Sequence, residues 1–130
     1  MKKKIIHSTL LLFLSLTMFA QTQEKLGEEF IKAFLVEKNH VIAYDYFDVT
    51  IKEKMTLYAF EQAQSSIEEQ FGKFVEIIEV NNEGNTYYYY SKLENSTTDF
   101  KIRFNSENKI VGFIFTPHKE FDKKKVNPKN

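Results

Sequence analysis

The apolar pattern of this chain changes period once, at Gly72, and that change dictates the class of fold. Ahead of it apolar side chains recur at helical spacing; behind it they alternate, as in strands with one buried face. Leu26, Phe30, Ala33 and Phe34 recur at steps of three and four, and Ile31 and Leu35 widen the stripe, which predicts a one-face-buried helix over 24–38. Asn39 is placed to stop it in a left-handed turn. Asp48 and Thr56 are capping residue types ahead of a short helix over 49–55 and a long one over 57–71. Leu57, Phe60, Ala63, Ile67 and Phe71 share one face of the long helix, and Gly72 supplies its stop.

Four strands follow, over 73–80, 86–93, 98–104 and 109–116, joined by the turn-forming stretches 81–85, 94–97 and 105–108. Connections this short make an antiparallel meander. The predicted class is α+β, with N-terminal helices packed on a curved four-stranded antiparallel sheet. A two-residue turn at Asn95-Ser96 sets Lys92 opposite Asp99, Tyr90 opposite Lys101 and Tyr88 opposite Arg103 on one face. Tyr89 then meets Ile102 and Tyr87 meets Phe104 on the other. A slip of one residue would set Lys92 against Phe100 and lose every complementary pair. A turn at Glu83-Gly84 sets Phe74 against Leu93, Ile78 against Tyr89 and Glu76 against Ser91 on the apolar face. On the last strand Val111, Phe113 and Phe115 continue the apolar face, with Ile110, Gly112 and Ile114 on the other.

Before the first helix, three lysines at 2–4 precede an apolar stretch, 5–20, interrupted only by His, Ser and Thr. That is the pattern of an export signal. Its densest part, 10–20, has 11 residues, about half of the roughly 20 that a bilayer-spanning helix needs, so no stable membrane span is expected. The expected organisation is a signal peptide over 1–20, one α+β domain over 21–117 and a basic, flexible tail over 118–130, with the product periplasmic or extracellular. Without cysteine there is no lipoprotein anchor, disulfide scaffold, thiol catalysis or cysteine-zinc site. Loss of the three leader lysines leaves 15 basic against 18 acidic residues, a net charge of −3. Nucleic-acid binding rests on phosphate neutralisation by Lys and Arg, so a nucleic-acid partner is not expected.

Two constellations carry candidate chemistry. Glu76, read on the apolar face, is the candidate general base, with Tyr44, Tyr87 or Tyr89 as hydrogen-bond donor to an oxyanion. On the other face Tyr88, Tyr90, Lys101 and Arg103 make a platform for an anionic or aromatic partner, with cation–π contacts worth roughly 0.5–2 kcal/mol each. Ile114, with Val75, Ile77 and Ile110, adds apolar area to that face and makes it a candidate homodimer interface. His40, Asp45 and Asp48 match no metal-ligand spacing, and neither metal nor cofactor is expected. His118 reads as solvated, and the lysine run at 123–125 as a solubilising end.

Tyr46-Phe47-Asp48, Gln70-Phe71-Gly72-Lys73-Phe74 and Asn108-Lys109-Ile110-Val111-Gly112-Phe113 resemble an exported bacterial family of unknown function. The resemblance, over 25–117, implies the cone-shaped, cystatin-like fold shared by nuclear transport factor two, ketosteroid isomerases and polyketide cyclases. Members stand alone or in front of serine hydrolase domains. No Gly-x-Ser-x-Gly elbow occurs here, so the attached activity is not implied. The expectation is a small non-enzymatic domain that self-associates through the outer sheet face or binds a ligand in the cone. The alternative is a ketosteroid-isomerase-like enzyme using Glu76. A cone filled by Phe30, Phe34, Phe60 and Phe104 would favour the first.

Overall fold

The computed structural model describes residues 22–122, so the expected export segment and the lysine run at 123–125 lie outside the described residues. The first helix, α1, runs over 22–31 and widens into a π-helical turn, Lys32–Val36, closed by the Glu37 N–H donating to Lys32 O at 2.9 Å. Lys38, at φ 53°, takes the left-handed position expected of Asn39. Asn39 instead caps a helix that the apolar pattern did not indicate, α2 (His40–Tyr44), its side chain accepting from Ile42 N at 3.3 Å. Helix α3 (Val49–Lys54) is capped by Asp48, and α4 (Leu57–Phe71) by Thr56, whose hydroxyl accepts from Ala59 N at 3.1 Å. Gly72 ends α4 at φ 84°, a backbone region open to glycine.

Strands β1 (Phe74–Glu83), β2 (Thr86–Leu93), β3 (Thr97–Phe104) and β4 (Ile110–Thr116) form one antiparallel sheet in the order β1-β2-β3-β4. The β2–β3 register differs from the expected one by two residues: Tyr88 faces Lys101, Tyr89 faces Phe100 and Tyr90 faces Asp99. An even shift keeps every side chain on its expected face. The first hairpin turns at Gly84-Asn85, with Gly84 at φ 60° in the first loop position, where a type II′ turn demands glycine. Two irregularities then displace β1 between Phe74 and Glu76 and between Ile77 and Glu79. Phe74 still pairs with Leu93, but Glu76 pairs with Lys92 and Ile77 with Ser91. A further irregularity between Arg103 and Phe104 sets Phe104 opposite Ile110 and turns Ile110 into the core.

The helices cover the inner sheet face. Phe34 stacks on Phe60 with ring centroids 4.3 Å apart, and Phe30 lies against Phe34, Phe47, Phe60 and Phe113. From the sheet, Tyr89, Phe100, Ile102 and Phe104 close the packing, each fully buried. Phe30, Phe34, Phe60 and Phe104 thus occupy the space between helices and sheet. The chain ahead of α3 is tied to β4 through Asp48 N to Ile110 O and Ile110 N to Tyr46 O, both 2.9 Å. Among the described residues no helix is long and apolar enough to cross a membrane.

Candidate functional site

Residues opposite one another across antiparallel strands share a face, so the register arranges the outer sheet face in three rows. Glu83, Thr86, Arg103 and Gly112 form the first; Asn81, Tyr88, Lys101 and Ile114 the second; Glu79, Tyr90, Asp99 and Thr116 the third. Every candidate of the platform, Tyr88, Tyr90, Lys101, Arg103 and Ile114, is therefore on this face. Val75 stays exposed at the first β1 irregularity, whereas Ile77 and Ile110, expected outward, turn in because of the bulges.

The first two rows enclose a groove of about 200 Å³ lined by Thr86, Lys101, Arg103, Gly112, Phe113 and Ile114. Gly112 stands opposite Arg103, and a Cβ there would make only ordinary van der Waals contact with it, 3.5 Å from Arg103 Cβ and 3.8 Å from its Nε. Lys101 Nζ stands 5.6 Å from the centre of the Tyr88 ring. Among the described residues neither Lys101 nor Arg103 forms a salt bridge. Glu83, the carboxylate in the row of Arg103, is bonded by Lys119. Two cations that form no salt bridge among the described residues, beside a threonine and an exposed isoleucine, suit an anion with a short apolar body.

The third row is covered by the chain itself. Residues 118–121, expected to begin a loose tail, cross the sheet from β4 toward β1 as a strap. The His118 ring stacks on Tyr90 at 3.7 Å between centroids, and its Nδ1 is hydrogen-bonded to Asp99 Oδ1 at 2.9 Å. The Lys119 N–H donates to Asp99 Oδ2 at 2.7 Å, and its ammonium reaches Glu83 over the Tyr88 ring. Phe121 meets the same ring edge-on at 5.2 Å. Tyr88 and Tyr90 are thus committed to the strap, while Lys101, Arg103 and Ile114 remain open beside it. Lack of apolar periodicity hid the strap, because it docks side chain by side chain.

A hydrogen bond from Lys119 holds the Glu83 carboxyl below its ordinary value of 4.5. A lowered folded value contributes stability that is present above the ordinary one and is lost as pH falls through the folded one. Acidification should therefore free the strap at β1, seen as loss of the Phe121 ring-current shift on Tyr88 protons, and Glu83→Gln should remove that part of the acid dependence.

A family model described as "Protein of unknown function (DUF3887)" matches residues 27–113. The chain belongs to this family. No curated protein and no solved structure matches the chain. The family match takes in Tyr88, Tyr90, Lys101, Arg103 and Gly112, and ends just before Ile114 and the strap.

Glu76 does not reach the interior. The β1 irregularities turn it to the outer face, exposed and opposite Lys92, away from the buried tyrosines. Those tyrosines have other partners: Tyr44 donates to Met55 O at 2.7 Å and Tyr89 to Glu24 O at 2.8 Å. Tyr87 packs in the core against Phe104. Asp48 caps α3 and accepts from Asn105; hydrogen bonds from the side chain and then the backbone of Thr50 hold its carboxyl below the ordinary value. Asp45 pairs with Lys52 at 3.5 Å, and His40 lies edge-on to Phe60. The one Ser-x-x-Lys spacing in the chain, Ser106 to Lys109, falls in the exposed β3–β4 turn, where the lysine donates to Asp45 O at 3.2 Å.

Proposed function

We propose that this chain is a small exported binding module, without catalysis of its own, that holds a carboxylate- or phosphate-bearing partner at the Lys101–Arg103 groove. The observation that carries this reading is the Lys101–Arg103 couple at the groove, neither of which forms a salt bridge among the described residues, beside a strap whose Lys119 has taken the neighbouring carboxylate. Charge-assisted hydrogen bonds of this kind contribute about 1.5–3 kcal/mol each. Against an enzyme of the ketosteroid-isomerase type stand the aromatic packing of the interior and the outward position of Glu76. Export is supported by the lysine run and apolar stretch at the N-terminus. Kinship with nuclear transport factor two is supported by helices preceding a four-stranded meander, and it carries no activity by itself.

Titration of the isotopically labelled chain with inorganic phosphate and with glutarate tests the groove. The amides of Thr86, Lys101 and Gly112 and the Arg103 Nε–H signal should shift together. The K101A/R103A double variant should bind roughly tenfold or more weakly, with its thermal midpoint retained. Equal affinity in the variant would remove the groove as the binding site.

A further inference from the structure

The strap is more than a terminus at rest on the sheet. The Asp99 side chain is 1% exposed although it stands on an outward strand position, and its two oxygens are engaged by His118 Nδ1 and the Lys119 N–H. Its burial comes from the segment laid over it, as in a binding interface. The rest of the contact is equally specific: imidazole on Tyr90, ammonium between Glu83 and the Tyr88 ring, and Phe121 against Tyr88. These partners all belong to β1, β2 and β3, so the receiving surface is built on the sheet alone.

We propose that Tyr88, Tyr90 and Asp99 form a docking surface for the 117–121 segment of a second copy of this chain, so that two molecules join by exchanging straps. Receptor and ligand lie on one polypeptide, so each copy supplies what the other needs, and the exchange closes as a two-fold dimer. Only Pro117 separates Thr116, the ladder partner of Asp99, from His118. Exchange of an identical terminal element is a low-cost route to a dimer. Docking in cis competes at an effective concentration in the millimolar range, so the dimer gains most where cis closure is disabled.

Two full-length variants separate exchange from cis closure. H118A/F121A damages the strap and keeps the surface; Y90A/D99N damages the surface and keeps the strap. Each alone should sediment as a monomer, whereas an equimolar mixture should form a heterodimer at concentrations at least tenfold below those at which either variant associates. A synthetic peptide spanning residues 117–122, in excess, should bind the H118A/F121A chain and dissociate the heterodimer. Circular dichroism and thermal midpoints establish that both variants fold, and Y90A alone replaces the double variant if it does not. A mixture that stays monomeric overturns the exchange, even where the peptide binds, because the surface would then serve only its own segment. Mixture and peptide both without effect overturn the docking surface as well.

Discussion

Gly27→Ala is expected to destabilise the chain by about 3 kcal/mol or more, at or above the upper end of the usual range for overpacking a core. Helix propensity alone predicts the opposite sign, since alanine in a helix interior is favoured over glycine by roughly 0.5–1 kcal/mol. Packing reverses it: a Cβ at position 27 would fall 1.9 Å from the Tyr89 hydroxyl oxygen, 2.4 Å from Cζ and 2.8 Å from Cε2. The ring cannot retreat, because Tyr89 is fully buried and its hydroxyl donates to Glu24 O at 2.8 Å. Burial, with Glu28 and Glu24 nearby, pushes that hydroxyl far above its ordinary range, so it remains a donor. Denaturant titration of G27A, Y89F and the double variant reads the contact. Tyr89→Phe alone should cost about 1 kcal/mol for the hydrogen bond, and it should recover only part of the G27A loss, because the ring carbons remain too close. A neutral G27A would mean that α1 and β2 do not meet as described.

How far the sequence carried depended on the range of the interactions involved. Helix α4 was legible to its ends because its determinants are local: Thr56 at the cap, five apolar residues on one face, Gly72 at the stop. The faces of β2 and β3 were legible by alternation, and so Lys101 and Arg103 fall on the side of the sheet expected of them. Their register was not, because the β2–β3 loop serves a distant junction. Asn95 N donates to Phe71 O and Glu94 N to Lys73 O, while the Glu94 carboxylate accepts from Lys73 N at 2.7 Å. A loop that fastens the end of α4 to the start of β1 is longer than the shortest hairpin, and the pairing moves by two. Bulges are equally invisible to alternation. Edge strand β1 has two, which keep a long, charged edge from pairing with another sheet; they also carry Glu76 out of the position on which the catalytic reading depended.

Phe30→Ala is expected to cost about 3–5 kcal/mol, the range for deleting a buried aromatic ring. At 4–8 °C per kcal/mol for a domain of this size, the thermal midpoint should fall by roughly 12–40 °C. The ring centre lies 5.2 Å from that of Phe113, 5.3 Å from Phe47, 5.7 Å from Phe34, 6.0 Å from Tyr46 and 6.2 Å from Phe60, so its loss strips contacts from helices and sheet together. The size of the effect also decides between the two functional readings. An interior built to admit a substrate would already border open space at this ring, and truncation would widen an existing site at little cost. In a filled interior the truncation creates a new apolar cavity, and the cavity term adds to the lost transfer energy. Such cavities stay dry and take up small aromatic molecules, so benzene should raise the midpoint of the Phe30→Ala chain and leave that of the wild type unchanged. A loss under about 1 kcal/mol, or benzene stabilising the wild type, would return the interior to consideration as the site and weaken the case for the outer face.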